Sequence, residues 1–227
     1  MYAVVSMCTS NISDLGDLTD KYKIEYCDRH GYEFYNIGDK EIGPVDGPWS
    51  FSMDWHKPRY VCELFTRRPD IEWALVTEAD ATITNLTIPM SEKVDNNYHV
   101  VVPVDRLNIN SGNMLVRNSP QGRAYLQAMI DDGDKYLTNT TKNPIFGLQL
   151  WMVDTIDQHG DITKIVPQKH MNSYEREIYD YCNVSTDVLG NSGVWTKGDW
   201  IVHWPGIRHD VRLQRASTLE TEQRIVR

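Results

Sequence analysis

The chain has 227 residues, of which 41% are hydrophobic, and it carries a formal net charge of -9. This length supports one large α/β domain with a continuous core and leaves little room for two full domains. The acidic balance argues against non-specific binding to nucleic acid or to an anionic membrane surface, because both need a basic protein surface.

The cysteines and the amino terminus favour an intracellular protein. The four cysteines are dispersed without a Cys-x-x-Cys pair, which is typical of reduced, buried thiols. The chain begins on an apolar run without a signal-peptide pattern, and no stretch is long enough to span a bilayer. We therefore expect a cytoplasmic location, no membrane span and no nucleic-acid partner.

The first part of the chain predicts a β-α-β unit. An apolar strand over Tyr2 to Met7 and a polar loop over Cys8 to Ser13 precede apolar residues at helical spacing from Leu15 to Tyr26. Gly31 stands at the C-cap position of that helix, and a second strand covers Glu33 to Ile37. Such a unit favours a mostly parallel sheet with nucleotide chemistry at the carboxyl ends of its strands.

A long loop and a helix lead to the third strand. The segment from Gly38 to Trp55 is rich in Gly, Pro and Asp, which predicts a surface loop. A helix from His56 to Arg67 has Pro58 in its first turn, a position that tolerates proline. The apolar run from Trp73 to Val76 is the next predicted strand.

Two carboxylates, Glu78 and Asp80, follow this strand directly. Because residues i and i+2 of an extended chain point the same way, the two side chains can aim at one point. Mn²⁺ or Mg²⁺ would suit that point, since both ions prefer oxygen ligands. On this triplet alone a solvated turn is the commoner explanation, so the metal hypothesis depends on the rest of the chain.

The middle of the chain predicts further strands and a helix. Tyr98 to Val104 is a nearly continuous apolar run, typical of a strand buried on both faces. Asn110 to Gly112 forms an Asn-Ser-Gly turn before a strand from Met114 to Arg117; it suits sugar hydroxyls, and an ordinary turn explains it equally well. Ser119 predicts the cap of a helix that ends near an Asp-Gly-Asp triplet at Asp132.

The remaining elements complete a single α/β domain over residues 1–212. A helix from Asn143 to Ile156 carries Gln149, whose amide needs a hydrogen-bond partner if it is buried. Strands are predicted from Ile162 to Val166 and from Asp199 to His203. Residues 213–227 are charged and weakly amphipathic, which predicts a C-terminal helix or a linker to a further domain.

In chain order, these pieces resemble a family of glycosyltransferases that contains fungal galactosyl- and mannosyltransferases and plant xyloglucan xylosyltransferases. The resembling pieces are His30-Gly-Tyr32, Trp55-x-Lys57, Glu72-Trp73 before Glu78-Ala-Asp80, Thr84-Asn85, Asn110-Ser-Gly112, Arg117-Asn-Ser119, Gln149, Asn172-Ser-Tyr174 and Gly198-Asp-Trp-Ile-Val-His203 with Gly206. The resemblance implies the GT-A fold, which is Rossmann-like with one mostly parallel central sheet flanked by helices. It also implies a hexosyltransferase that uses a UDP-sugar donor and Mn²⁺ or Mg²⁺.

The resemblance extends to individual residues. It implies that Glu78, Asp80 and His203 hold the metal ion and that Asn110 and Gln149 line the donor-sugar pocket as the catalytic pair. The residues predicted to bind the sugar nucleotide are Thr9, Ser10, Lys57, Ala79, Asp80, Ser111, Gly112, Gly206 and Arg208. Of these, Thr9 and Ser10 belong to the polar loop after the first strand, where we expect uracil recognition.

Two positions depart from the family pattern. The first metal position is Glu78 rather than aspartate, and its longer side chain favours a weaker or water-mediated contact. Leu148 replaces the acid usually found there, so no catalytic carboxylate is carried over at that position. We therefore expect retention of anomeric configuration, with Asp105, Asp154 and Asp157 as candidate bases if the enzyme inverts.

More narrowly, the chain resembles the N-terminal glycosyltransferase domain of a multidomain chlorovirus protein. This implies an L-rhamnose or related hexose donor, a glycan or glycoprotein acceptor such as a viral capsid protein, further domains, and the host cytoplasm. Two alternatives stay open. The first is a metal-dependent nucleotidylyltransferase. Members of that class share a Gly-rich, basic loop after the first strand, and this chain lacks such a loop. A sugar-nucleotide-binding or lectin-like module would bind without turnover.

Overall fold

The computed structural model describes residues 1–43, 53–138, 147–180 and 185–227. In chain order the strands are β1 Tyr2–Met7, β2 Glu33–Ile37, β3 Trp73–Glu78, β4 Ala81–Ile83, β5 Val100–Pro103, β6 Asn113–Arg117, β7 Thr163–Val166, β8 Ser173–Tyr174 and β9 Ile201–His203. The helices are α1 Ser13–His30, α2 Asp39–Ile42, α3 His56–Arg67, α4 Pro120–Thr138, α5 Gly147–His159, α6 Arg176–Asp180 and α7 His209–Thr218. None of these helices combines the length and apolar character needed to cross a membrane.

The central sheet has six strands in the order β2-β1-β3-β6-β5-β7. Its neighbours run parallel except that β6 is antiparallel to both β3 and β5. Alternate side chains bury opposite faces: Val5 and Val76 pack with α3, α4 and α5, whereas Val4 and Leu75 pack with α1 and α7. The sheet is therefore covered by helices on both faces, as predicted for a mostly parallel α/β fold.

A second, three-stranded sheet has the order β4-β9-β8. Ala81 lies opposite His203 in the antiparallel pair of β4 and β9, and Tyr174 lies beside His203 in the parallel pair of β8 and β9. This sheet places Asp80, which directly precedes β4, next to the end of β9. Of this sheet, sequence patterns predicted only β9, as the strand from Asp199 to His203, because β4 and β8 have three and two residues and carry no periodicity.

The predicted β-α-β opening and helix α3 are confirmed. Gly31 adopts the left-handed conformation at the C-cap of α1, with φ of 68°. Ser119 accepts a hydrogen bond from the backbone N–H of Gly122 as the cap of α4. In the predicted loop from Gly38 to Trp55, the described part contains the short helix α2, and residues 44–52 lie outside the described ranges.

The prediction that α4 ends near Asp132 is wrong, because the helix continues to Thr138. Tyr136 is buried against Trp55, with ring centroids 6.2 Å apart, and Asp132 accepts a hydrogen bond from Trp151 Nε1 at 2.8 Å. These tertiary contacts outweigh the helix-breaking tendency of the glycine in the Asp-Gly-Asp triplet. The predicted start of α5 at Asn143 lies outside the described residues.

Helix α7 spans the predicted boundary between residues 212 and 213. After the helix the chain returns to the domain, where Val226 N donates to Thr84 O and Leu86 N donates to Val226 O, both at 2.8 Å. Ile225 is buried in the core on this side of the sheet. The role of residues 213–227 as a linker stays a prediction.

Candidate active site

Glu78, Asp80 and His203 converge at the carboxyl ends of β3 and β9. Their ligand atoms all lie within 4.8 Å of one another. The imidazole Nε2 of His203 lies 3.2 Å from Asp80 Oδ1 and 3.5 Å from Glu78 Oε2. The structure thus brings together the three residues predicted from the sequence to hold a divalent ion.

The other oxygen of each carboxylate is held by a cationic side chain. Lys57 Nζ lies 2.6 Å from Glu78 Oε1, and Arg212 Nη2 lies 3.2 Å from Asp80 Oδ2. Each carboxylate therefore turns one oxygen toward a fixed cation and the other toward His203. The atoms that remain for a metal ion are two carboxylate oxygens and one imidazole nitrogen.

Burial and neighbouring charges shift several pKa values in this cluster. Burial lowers the pKa of Lys57, but the carboxylates of Asp54 and Glu78 outweigh it and raise that pKa. Burial raises the pKa of Glu78, but Lys57 and His203 outweigh it and hold that pKa well below its usual range. Burial raises the pKa of Asp54 to about 6; Lys57 opposes this shift, whereas Glu78 and Asp80 add to it. Sequence reasoning missed Asp54, which no motif distinguishes.

His203 is buried, and its imidazole is set between two acids. Burial opposes a charge on the ring, but the carboxylates of Asp80 and Glu78 outweigh it and raise the pKa to about 9. The metal-free protein at neutral pH therefore holds a proton on His203, and this proton balances part of the acidic charge. Metal binding at Nε2 requires its removal.

A buried chain of hydrogen bonds orients the ring of His203. Thr77 Oγ1 donates to Asn113 Oδ1 at 2.6 Å, and Asn113 Nδ2 donates to Asn172 Oδ1 at 2.9 Å. The same oxygen of Asn172 lies 2.8 Å from His203 Nδ1 and accepts a hydrogen bond from it. Because Nδ1 is the donor here, Nε2 is left to face the two carboxylates, and a hydrogen bond of this kind is what orients a histidine that ligates a metal. The residues and their support fit a divalent cation.

Gly112 makes room for this ring. A Cβ atom at this position would lie 2.4 Å from His203 Cε1, which is closer than real contacts allow. The glycine of the predicted Asn-Ser-Gly turn is thus required by a close approach of the histidine rather than by a sugar contact alone.

Asn110 and Gln149, the predicted catalytic pair, meet in a polar network. Asn110 Nδ2 lies 2.9 Å from Asp105 Oδ2, 3.0 Å from the Tyr174 hydroxyl and 3.4 Å from Gln149 Oε1. Asn110 Oδ1 accepts a hydrogen bond from the backbone N–H of Gly112 at 2.9 Å. This network therefore connects the turn that carries Gly112 to helix α5.

These groups line a cleft of about 320 Å³. The predicted site residues in its wall are Glu78, Asp80, Asn110, Ser111, Gly112, Gln149, His203 and Gly206. The structure adds residues for which no nucleotide role is predicted from the sequence, namely Asp54, Asp105, Arg106, Tyr174 and Arg212.

The other predicted residues lie away from the cleft wall. Lys57 and Ala79 are buried, and Lys57 reaches the cluster through Glu78. Thr9 and Ser10 line a separate cavity beside α1. Arg208 has a side chain that is 82% exposed and pairs with a neighbouring aspartate.

Arg212 stands one helical turn after Arg208 and was missed by sequence reasoning. Its guanidinium contacts Asp80 from α7, and its Nε also donates a hydrogen bond to Trp204 O at 3.0 Å. The i+4 spacing from Arg208 would have been the available signal.

The helix-covered sheet, with an acid-x-acid segment and a histidine at one cleft, is the arrangement that the resemblance to GT-A glycosyltransferases implies. Residues 8–97 match the galactosyl transferase GMA12/MNN10 family, in agreement with the predicted resemblance. No curated protein matches the chain.

Solved glycosyltransferase structures share this fold over nearly the whole chain. A glycosyltransferase involved in the glycosylation of the major capsid of PBCV-1 is similar with a TM-score of 0.74 and 15% identity, over 96% of this chain and 98% of that one. The galactosyltransferase LgtC, in complex with donor and acceptor sugar analogs, is similar with a TM-score of 0.62 and 10% identity, over 97% of this chain and 95% of that one. Mouse xyloside xylosyltransferase 1 is similar with a TM-score of 0.51 and 10% identity, over 90% and 98%. These likenesses confirm the predicted GT-A fold.

Proposed function

We propose that this protein transfers a sugar from a UDP-sugar to a glycan acceptor with the help of Mn²⁺ or Mg²⁺. The observation that carries the proposal is the convergence of Glu78 Oε2, Asp80 Oδ1 and His203 Nε2 beside the cleft. Lys57 and Arg212 hold the other carboxylate oxygens. Two carboxylate oxygens and a neutral imidazole suit a hard divalent ion that also binds phosphate oxygens.

The side chains divide the work of the reaction by charge. A bound divalent ion would neutralise negative charge that develops on the leaving nucleoside diphosphate. Arg212 adds a fixed, planar donor for phosphate oxygens, and the ammonium of Lys57 adds a positive charge close to Glu78. Asn110 and Gln149 orient the donor sugar through their amide groups.

The environment of Asp105 supports retention. Its Oδ1 accepts hydrogen bonds from the backbone N–H groups of Leu107 and Asn108, and its Oδ2 accepts from Asn110 and Tyr174. A carboxylate has about four acceptor sites, and these four hydrogen bonds occupy them, so Asp105 has no site left for the hydroxyl of an incoming acceptor. Attack on the face from which the leaving group departs needs no separate protein base.

The proposed identities of the donor sugar and the acceptor are inferred from similar proteins. The similarity to the PBCV-1 capsid glycosyltransferase supports a glycoprotein as the acceptor. A hexose or a deoxyhexose such as L-rhamnose as the transferred sugar rests on the resemblance to the chlorovirus domain. Uracil specificity rests on the family resemblance and on the polar loop from Cys8 to Ser13. The host cytoplasm and further domains stay predictions.

The direct test is release of UDP from a panel of UDP-sugars, with Mn²⁺, with Mg²⁺ and with chelator. We expect release that needs a divalent ion and that Asp80→Asn abolishes. Saturable binding of a sugar nucleotide without release at any acceptor would favour the binding module, and formation of a sugar nucleotide with release of pyrophosphate would favour the nucleotidylyltransferase.

A further inference from the structure

Two side chains of α1 donate hydrogen bonds to the backbone of the acidic segment, residues Glu78 to Asp80. Lys23 Nζ donates to the backbone carbonyl of Glu78 at 2.9 Å. Thr19 Oγ1 donates to the backbone carbonyl of Ala79, also at 2.9 Å. These two donors stand one turn apart on the helix, and their two acceptors are consecutive carbonyls between the proposed metal ligands.

The third carbonyl in the row is held from the other side. The backbone N–H of Trp204 donates to Asp80 O at 2.9 Å, directly after the proposed ligand His203. Thr82 Oγ1 returns to α1 and donates to the backbone carbonyl of Thr19 at 2.8 Å. The segment from Glu78 to Asp80 is thus fixed at every carbonyl.

We propose that Thr19 and Lys23 are positioning residues that set the aim of Glu78 and Asp80 at the metal ion; this inference rests on the proposed function. A residue of the chain has only two soft backbone dihedrals, so a hydrogen bond to its carbonyl fixes the orientation of a whole peptide plane. Together with the plane before Glu78, which the pairing of β3 with β1 holds, these three fixed planes determine where the Cα–Cβ bonds of the two acids point. Ligands held in this way need little rearrangement when an ion binds.

The surroundings of Lys23 argue for a directed role. Its ammonium is fully buried, and its three N–H groups have three acceptors, namely Ser6 Oγ at 2.9 Å, Asp20 Oδ1 at 2.8 Å and Glu78 O. Ser6 Oγ in turn donates to Asp20 Oδ1 at 2.8 Å. A buried ammonium is costly unless it is paired and hydrogen-bonded, and here Asp20 neutralises its charge. The third donor is left for the backbone of the acidic segment.

The test compares two threonines by an isosteric change. Thr19→Val removes the hydroxyl that reaches Ala79 O, whereas Thr155→Val removes a buried helical hydroxyl whose partner among the described residues is Trp151 O in its own helix, at 2.8 Å. Lys23→Met is the second test variant. For each protein, Mn²⁺ binding is measured by electron paramagnetic resonance of the free ion, and Tm is measured without metal.

We expect Thr19→Val and Lys23→Met to weaken Mn²⁺ binding about 10-fold, which is typical when a residue that orients a metal ligand is changed. Thr155→Val should lower Tm by a similar amount to Thr19→Val and leave Mn²⁺ binding unchanged. Mn²⁺ affinities of Thr19→Val and Thr155→Val that both equal that of the wild type would overturn the inference. If Lys23→Met does not fold, the threonine pair decides. A wild-type protein that binds neither Mn²⁺ nor Mg²⁺ would instead contradict the proposed function, and the inference with it.

Discussion

Arg212 contacts Asp80 through the one carboxylate oxygen that does not face His203. Its Nη2 lies 3.2 Å from Oδ2, whereas Oδ1 lies 3.2 Å from the imidazole Nε2. Glu78 is divided in the same way between Lys57 and His203. The acids are therefore balanced by cations before any metal binds, and the metal-facing oxygens are already selected.

The two arginines of α7 offer a matched comparison. Sequence reasoning predicts that Arg208 contacts the diphosphate, whereas the contact with Asp80 favours Arg212. A hydrogen bond to a charged group is worth about 1.5–3 kcal/mol, so we expect Arg212→Gln to weaken UDP binding in Mn²⁺ by about 10- to 100-fold. Arg208→Gln should have a smaller effect, because that side chain is 82% exposed. Calorimetric titration with UDP measures both, and a larger loss for Arg208→Gln would return the phosphate role to that residue.

The raised pKa of His203 predicts a pH dependence of metal binding. Because the pKa is about 9 without metal, an ion that binds at Nε2 must displace a proton at neutral pH. Mn²⁺ affinity should therefore rise with pH from 7 to 9, with about one proton released per ion. Calorimetry in buffers of different ionisation enthalpy counts that proton, and an affinity independent of pH would contradict the assignment of His203 as a ligand.

The same shift predicts how stability without metal depends on pH. The pKa of His203 is raised above its unfolded value of about 6.5, so its contribution to the free energy of unfolding is fully present below pH 6.5. That contribution is lost as the pH rises toward 9. The Tm of the metal-free protein should fall over this range, and the Tm of His203→Gln should fall less.

Gly112→Ala tests the close approach of the turn to His203. The added Cβ would stand 2.4 Å from His203 Cε1, so the ring must leave the position in which its Nε2 faces the two acids. We expect at least a 10-fold loss of Mn²⁺ affinity, as for a disturbed ligand orientation. Gly190→Ala is the control, because it introduces strain at a φ of 83° and its added Cβ meets no atom of the described residues within 4 Å. Equal Mn²⁺ affinities of the two variants would show that the ring tolerates the methyl group.

Removal of the charge of each acid should have unequal effects. Asp80→Asn is expected to abolish metal-dependent activity, because Oδ1 is the carboxylate oxygen nearest the imidazole Nε2. Glu78→Gln should only weaken it, since the longer side chain permits a contact through water. It also leaves Lys57 with less compensating charge, so its Tm should fall. Transfer rates at limiting Mn²⁺ measure the difference, and full activity of Asp80→Asn would exclude Asp80 as a ligand.

Local signals account for the parts of the fold that could be predicted. The strand from Tyr2 to Met7, the helix that ends at Gly31 and the helix from His56 to Arg67 depend on apolar spacing and caps within one segment. The end of α4 does not, because the burial of Tyr136 depends on distant residues. Of the three-stranded sheet around His203, only the strand that carries His203 was predicted, since β4 and β8 are too short to show a pattern.

The same distinction applies to the site. Glu78, Asp80 and His203 stand in motifs that identify them in the sequence, and the structure brings them together. Lys23 looks like an ordinary surface lysine in the sequence, and Lys57 is predicted there to bind the nucleotide, yet both are fully buried. Their role depends on which carboxylates and carbonyls fold against them, which no local pattern contains.

The central claim is that Glu78, Asp80 and His203 hold the ion on which sugar transfer depends. The most direct measurement is a crystal structure with Mn²⁺ and UDP, with the ion located by its anomalous scattering. We expect an anomalous peak within bonding distance of Asp80 Oδ1 and His203 Nε2, with diphosphate oxygens as further ligands of the ion. A peak elsewhere, or a His203 ring turned away from the ion, would contradict it.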